Sequence, residues 1–329
     1  DPQALAMWAQ EAEEAVSLEF FTQYLFFRQW RQLRAYCNHK MVRLIGDVPI
    51  YVTYDSADVW ANPGLFKLDE AREPLFVAGV PPDYFSATGQ LWGNPVYDWD
   101  ANQREGFAWW LRRVEHNLAL FDFLRLDHFR GFAGYWEIAA GEKTAINGSW
   151  VEARGAELFS TMQRRFPCLP IIAEDLGVIT PDVRELKAQF GFPGMKILQF
   201  GFGGEVGTNL DAPHNHCKNC VVYTGTHDNN TTVGWFHHEA PPEQREAFLR
   251  YLGHEHDGHA VHLKALRLAM LSVANTALFP VQDVLGLSHE ARMNTPSLAN
   301  GNWEWRMLPE ELSPSRAAPL EEMTRFYGR

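Results

Sequence analysis

Three short apolar stretches of this chain each end in carboxylic acids: Arg125-Leu126-Asp127-His128, Ile172-Ala173-Glu174-Asp175 and Thr224-Gly225-Thr226-His227-Asp228. Residues two apart on an extended strand share a face, so Arg125 and Asp127 can sit together. A fixed cation beside a carboxyl keeps it ionised at neutral pH, which a carboxylate nucleophile needs. A second carboxyl in a drier place keeps its proton and can give it to a leaving oxygen; Glu174 is the candidate. An ionised acid and a protonated acid flanking one bond describe glycoside cleavage. Taken singly, each acid would more often cap a following helix or close an ion pair. Three of them at strand ends, with Arg125 and His227 alongside, point to a site.

These residues need elements to position them. A three- and four-residue recurrence through Val16, Phe20, Tyr24 and Phe27 predicts one amphipathic helix over residues 4 to 36 that packs against the rest. Val42, Leu44, Ile45 and Val48 predict a buried strand carrying Asp47 at its end. Residues 55 to 105 hold Pro, Gly, Asn, Asp and aromatics without a period and read as a long ordered loop region. Strands are then expected at 121 to 127, 170 to 174, 195 to 200, 221 to 226 and 277 to 283. Helices alternate with them near 103 to 118, 152 to 166, 181 to 190 and 242 to 274. Strand, helix and strand repeated in this way imply parallel strands with right-handed crossovers. In a parallel barrel the strand ends would bring the acids to one face. A single α/β domain with a loop insertion is the economical reading.

Composition narrows the partners. Lysine and arginine total 29 against 41 acidic residues, and the net charge of -12 repels phosphate backbones and anionic lipid, so neither nucleic acid nor membrane is an expected partner. Four cysteines are too few for a disulfide scaffold and fit a reducing cytoplasm, the expected location. The 22 Phe, 12 Trp and 10 Tyr suit both sugar stacking and core filling. His214-Asn215-His216-Cys217-Lys218-Asn219-Cys220 has zinc-like spacing but lacks a distant second ligand pair, and it runs straight into a strand, so no metal is expected. His254-Glu255-His256 lacks the four-residue step that puts two ligands on one helical face. Gly201-Phe202-Gly203-Gly204 lacks the spacing of a dinucleotide or phosphate loop, so no cofactor is expected.

Four segments, in order and spacing, resemble the motif series of the 4-α-glucanotransferases, also called amylomaltases, relatives of the α-amylases. They are Gly46-Asp47-Val48-Pro49-Ile50-Tyr51, Arg125 to Gly131, Ala173-Glu174-Asp175-Leu176-Gly177, and Tyr223 to Asn229. The resemblance runs from about residue 16 to about 307. It implies that Asp127 is the nucleophile, Glu174 the acid/base, and Asp228 a third carboxylate that holds sugar hydroxyls and stabilises an oxocarbenium-like transition state. It also implies that Asp47, Arg125 and His227 bind sugar or orient the acids. The segment from Pro81 to Ser86, continuing from Gly89 to Pro95, is similar to the family's glucan-guiding loop. Tyr84, Phe85 and Trp92 are therefore candidate platforms for substrate rings, although bare loop aromatics are more often packing anchors.

The implied fold is a (β/α)8 TIM barrel, and the implied partners are α-1,4-glucans and maltooligosaccharides. The chain opens with Asp1-Pro2 and shows no counterpart of the family's first two strands, so six barrel strands and a missing N-terminal segment are expected. On this reading residues 1–329 are the C-terminal portion of the catalytic barrel, with an inserted subdomain at about 55–105. Ala153-Arg154-Gly155 stands where relatives commonly show a Pro-Gly pair, a minor departure. Two other outcomes fit the same residues: an amylase-type hydrolase, and a fragment that binds glucan without turning it over.

Overall fold

The computed structural model describes residues 1–82, 86–253, 258–296, 298 and 300–329. It is a mixed α/β structure whose contacts divide it into two compact units, Asp1–Glu174 with Thr180–Phe190, and Asp175–Ile179 with Gly191–Arg329.

The first unit contains strands β1 (Ile45–Val48), β2 (Phe76–Val80), β3 (Gln90–Pro95), β4 (Phe123–Leu126), β5 (Gly134–Ala139), β6 (Gly148–Glu152) and β7 (Ile171–Ala173). β1, β4 and β7 form a parallel sheet in that order. Leu124, Arg125 and Leu126 of β4 and all three residues of β7 are buried, as strands covered on both faces require. Residues 55 to 105 are not loop alone. They supply β2 and β3, which join β5 and β6 in an antiparallel sheet of order β3-β2-β5-β6. Irregular alternation across a bulge between Val77 and Gly79, together with Gly and Pro, hid these strands from a periodicity reading. Beside them an aromatic core collects Tyr97, Trp99, Trp110, Phe129, Phe132 and Phe159, so much of the chain's aromatic content fills volume.

The expected N-terminal helix is two helices, Pro2–Glu11 and Glu13–His39. The second, 27 residues and so about 40 Å long, outruns the 13-residue helix Ala108–Leu120 that it meets. Phe27 packs on His116, Trp30 on Phe121, and Arg34 donates to carbonyls at Leu118, Ala119 and Phe121. Phe20 and Tyr24 remain exposed. Arg34 also pairs with Asp122, whose other oxygen accepts the Leu44 N–H at 2.9 Å, pinning the entries of β1 and β4 together.

In the second unit β8 (Gly194–Ile197), β9 (Cys220–Tyr223) and β10 (Thr276–Leu278) form a parallel sheet of order β10-β9-β8. Its core gathers Phe202, Val222, Trp235, Phe236 and Phe248 with the helix Val261–Leu271. The C-terminal helix Pro314–Tyr327, for which the sequence analysis has no counterpart, sets Met323 against Leu266 and Met270.

Candidate active site

Sheet register alone assembles the first unit's acids. Asp47 on β1 is paired with Arg125 on β4, and Leu126 with Ala173 on β7. Asp127 and Glu174, the next residues, are therefore neighbours on adjacent parallel strands, and the ladder continues through them: Asp127 N–H donates to Val48 O at 3.0 Å and Glu174 N–H to Leu126 O at 3.0 Å.

Arg125 is the hub. Its side chain is almost wholly buried, and Nη1 donates to both oxygens of Asp47 at 2.7 Å and lies 3.0 Å from Asp127 Oδ1. Burial works against its charge, but Asp47, Asp127 and Glu174 outweigh that and raise its pKa, so the guanidinium stays protonated. The two carboxylates reach outward, 44% and 41% exposed. A cation is thus fixed from behind while the acids face solvent. Asp127 and Glu174 are both partly buried.

Glu174 is aimed by the turn after β4. His128 has left-handed backbone (φ 49°), which directs its N–H to Glu174 Oε2 at 2.8 Å, and Phe129 N–H meets Glu174 O at 3.0 Å. The His128 imidazole is pushed down to about 4 by burial and by the charge of Arg130, so it is neutral at pH 7. Trp92 packs edge-on to it at 4.8 Å, and also borders Tyr51. Trp92 is 37% exposed. Tyr84 and Phe85 lie outside the described residues.

The second unit holds His227 and Asp228 beyond the end of β9. His227 Nε2 is 3.4 Å from Asp228 Oδ2, and its ring lies 5.2 Å from that of Trp303. Asp228 Oδ1 accepts from Asn294 Nδ2 at 2.6 Å, and its carbonyl accepts from Arg292 Nη2 at 2.7 Å. Arg292, Asn294 and Trp303 escaped the sequence reading. The one available signal was a polar turn, Arg292-Met293-Asn294-Thr295-Pro296, which periodicity does not score.

The zinc-like cluster is occupied internally. His214 uses its ring nitrogens on Tyr251 Oη and Gly207 O, and His216 uses its own on Ser272 Oγ and Asp211 O. Burial first, then Cys217, push the Cys220 thiol up to about 12. His254, Glu255 and His256 lie outside the described residues. Among the described residues no three His, Cys, Asp or Glu side chains are gathered to hold a metal, and no helix is long and apolar enough to cross a membrane.

A family model described as 4-alpha-glucanotransferase matches residues 1–311. A 4-alpha-glucanotransferase of Synechocystis sp. is 50% identical over 332 residues, covering 100% of this chain and 65% of the relative. That of Thermus thermophilus is 52% identical over 322 residues, covering 96% of this chain and 64% of the relative. The solved structure of an amylomaltase from Streptococcus agalactiae in complex with acarbose superposes with a TM-score of 0.95 at 43% identity, over 100% of this chain and 66% of that one. This chain therefore spans just under two thirds of the length of the relatives it matches.

Proposed function

This chain belongs to the 4-alpha-glucanotransferase family, and from that premise we propose that the protein transfers α-1,4-glucan segments between maltooligosaccharide or starch-like chains by a retaining double displacement. The observation that carries the reading is Arg125 joining Asp47 and Asp127 on one side of a ladder whose next strand presents Glu174. Adjacent strands stand about 4.8 Å apart. That spacing suits the roughly 5 to 5.5 Å carboxyl separation of retaining enzymes better than the 6.5 Å or more that admits water for inversion.

Asp127 attacks the anomeric carbon while Glu174 protonates the departing glycosidic oxygen, leaving a glycosyl ester on Asp127 and a shortened glucan released with a free hydroxyl. Glu174, now a carboxylate, takes the proton of an incoming sugar hydroxyl, whose oxygen displaces Asp127 with net retention. Asp228 has the third carboxylate's part, stabilising positive charge that develops on the sugar ring. Asp47, Arg125 and His227 orient acids or sugar, and Trp92, with Tyr84 and Phe85, supplies stacking surface. No cofactor or metal enters the reading.

The finer fold reading belongs to the proposal as well: a (β/α)8 barrel of which this chain carries six strands as its C-terminal portion, with a further N-terminal segment completing it and an insertion at about 55–105. A cytoplasmic location fits the cysteine content, without nucleic acid or membrane as partner.

Incubation of the protein with maltotriose tests the function. A ladder of longer oligomers together with glucose is expected. Glucose and maltose without longer products would instead make it a hydrolase, and an unchanged pool would leave only a glucan-binding protein. Acarbose is expected to block ladder formation.

A further inference from the structure

Asp228 stands past the last residue of β9, where the ladder no longer fixes it, and its side chain is 42% exposed. An aspartate in that situation would sample several rotamers. Here a second layer of side chains restrains it. Asn294 Nδ2 donates to Oδ1 at 2.6 Å, and Asn294 N–H donates to the neighbouring His227 carbonyl at 3.1 Å. Arg292 sends Nη2 to the Asp228 carbonyl at 2.7 Å and Nε to the Asn294 carbonyl at 2.8 Å, tying the two segments together. Its remaining arm, Nη1, pairs with Glu239 Oε1 at 2.7 Å, and the same oxygen accepts from Asn230 Nδ2 at 2.9 Å. Glu239 closes the π-helical turn Trp235–Glu239. Such turns are rare, cluster at functional sites, and re-aim the residues beyond the extra backbone unit.

We infer that Arg292 and Asn294, braced by Glu239, are positioning residues that act on the reaction through Asp228: they hold the backbone and one carboxylate oxygen of the third acid, leaving its other oxygen beside His227. The inference rests on the proposed glucanotransferase reading. Its physical basis is that charge-assisted bonds to a fixed guanidinium are directional, and that a misplacement of about 1 Å at a reacting centre can cost roughly 100-fold in rate.

The test is a double-mutant cycle on the whole protein, with a maltosyl fluoride donor so that weak variants stay measurable. Asn294→Ala and Arg292→Ala are each made in the wild-type and in the Asp228→Ala background. Each is expected to lower kcat/KM by roughly 10- to 100-fold in the wild type and by less than about 3-fold once Asp228 is gone, because nothing remains to be aimed. Arg292→Lys, which cannot bridge three acceptors, should fall between wild type and Arg292→Ala. Equal losses in both backgrounds would show a merely structural role and overturn the inference, as would wild-type kinetics in both single variants. Should Arg292→Ala melt far below wild type, Asn294→Ala decides alone, since it breaks no ion pair. A wild-type protein that makes no longer oligomers from maltotriose would instead sink the functional reading itself, a result separable from a failed cycle.

Discussion

In the first unit Asp47, Asp127 and Glu174 lie on or directly after strands whose pairing sets their spacing, and Arg125 links two of them from within the same sheet. In the second, Asp228 hangs beyond β9 and is placed by Arg292 and Asn294, residues more than sixty positions further along the chain. One arrangement rests on backbone geometry, which is short-range and regular; the other rests on side chains from a distant loop. Mutation should distinguish them. A sheet-held acid keeps its place when neighbouring side chains change, whereas a clamped acid does not.

The largest effects should come from the sheet-held pair. Glu174→Gln is expected to lower transfer from maltotriose by roughly 10²- to 10⁴-fold, yet to leave formation of the glycosyl ester measurable with a fluoride donor, whose departure needs no proton. Asp127→Asn should abolish turnover of both donors. Quench experiments that trap the ester check this, and a Glu174→Gln variant that disproportionates maltotriose at the wild-type rate would remove Glu174 from the role of acid.

Arg125→Ala comes next. It leaves two carboxylates facing one another without the shared guanidinium. Because both are more than a third exposed they rehydrate, so the stability loss should stay near 1 to 3 kcal/mol rather than the larger cost of an orphaned buried charge. Urea unfolding measures it. Arg125→Lys should recover only part, since one ammonium cannot take both Asp47 oxygens and Asp127 with the same planar fork. Full recovery would mean that charge alone, not geometry, organises this end of the sheet.

The same contrast explains how much could be read from sequence. Strand-end acids were legible because apolar runs such as Phe123-Leu124 and Ile171-Ile172 signal buried strands, and strand register places the residue just past each end. The antiparallel sheet was not, because Gly79, Pro95 and the bulge break the alternation, and its four strands find each other only in three dimensions. Arg292 and Asn294 were illegible for a related reason: their meaning lies in a contact across a large sequence separation, and no local pattern encodes the partner. The long N-terminal helix was recognised, yet exposed Phe20 and Tyr24 show that an amphipathic stripe records a tendency to be covered, not a contact in this chain.

A smaller effect probes how tightly the β1 register is set. Gly46 precedes Asp47, and a Cβ placed there would overlap the Phe121 ring, which is itself packed against Trp30. Gly46→Ala is therefore expected to cost about 1 to 3 kcal/mol through overpacking. Phe121→Val, itself destabilising, should cost less in the Gly46→Ala background than in wild type, because it relieves that clash. Additive losses in denaturant titrations would show that the ring moves aside freely and that β1 is not held as closely as the pairing implies.

The last expected effect is a pH dependence to which the first unit's turn contributes. His128 titrates near 4 in the folded protein, held down first by burial and then by Arg130, against about 6.5 in an unfolded chain. Above pH 6.5 both states are neutral and the residue contributes nothing to the slope. Between about 6.5 and 4 the unfolded chain takes up a proton that the folded one refuses, so stability falls as the pH falls, by at most about 3 kcal/mol; below 4 both states are protonated and the loss is complete. In the second unit burial also lowers the pKa of His216, but that residue faces Ser272 and Asp211 rather than an acid of the site. His128→Asn is the informative variant, because asparagine tolerates left-handed backbone and so preserves the N–H aimed at Glu174. Its unfolding free energy should lose less than wild type between pH 7 and 4.5, while activity at pH 7 changes little if the N–H is what matters at this position. Parallel stability curves for the two proteins would show that the imidazole is protonated as easily folded as unfolded, and that the packing of Trp92 over His128 does not exclude water.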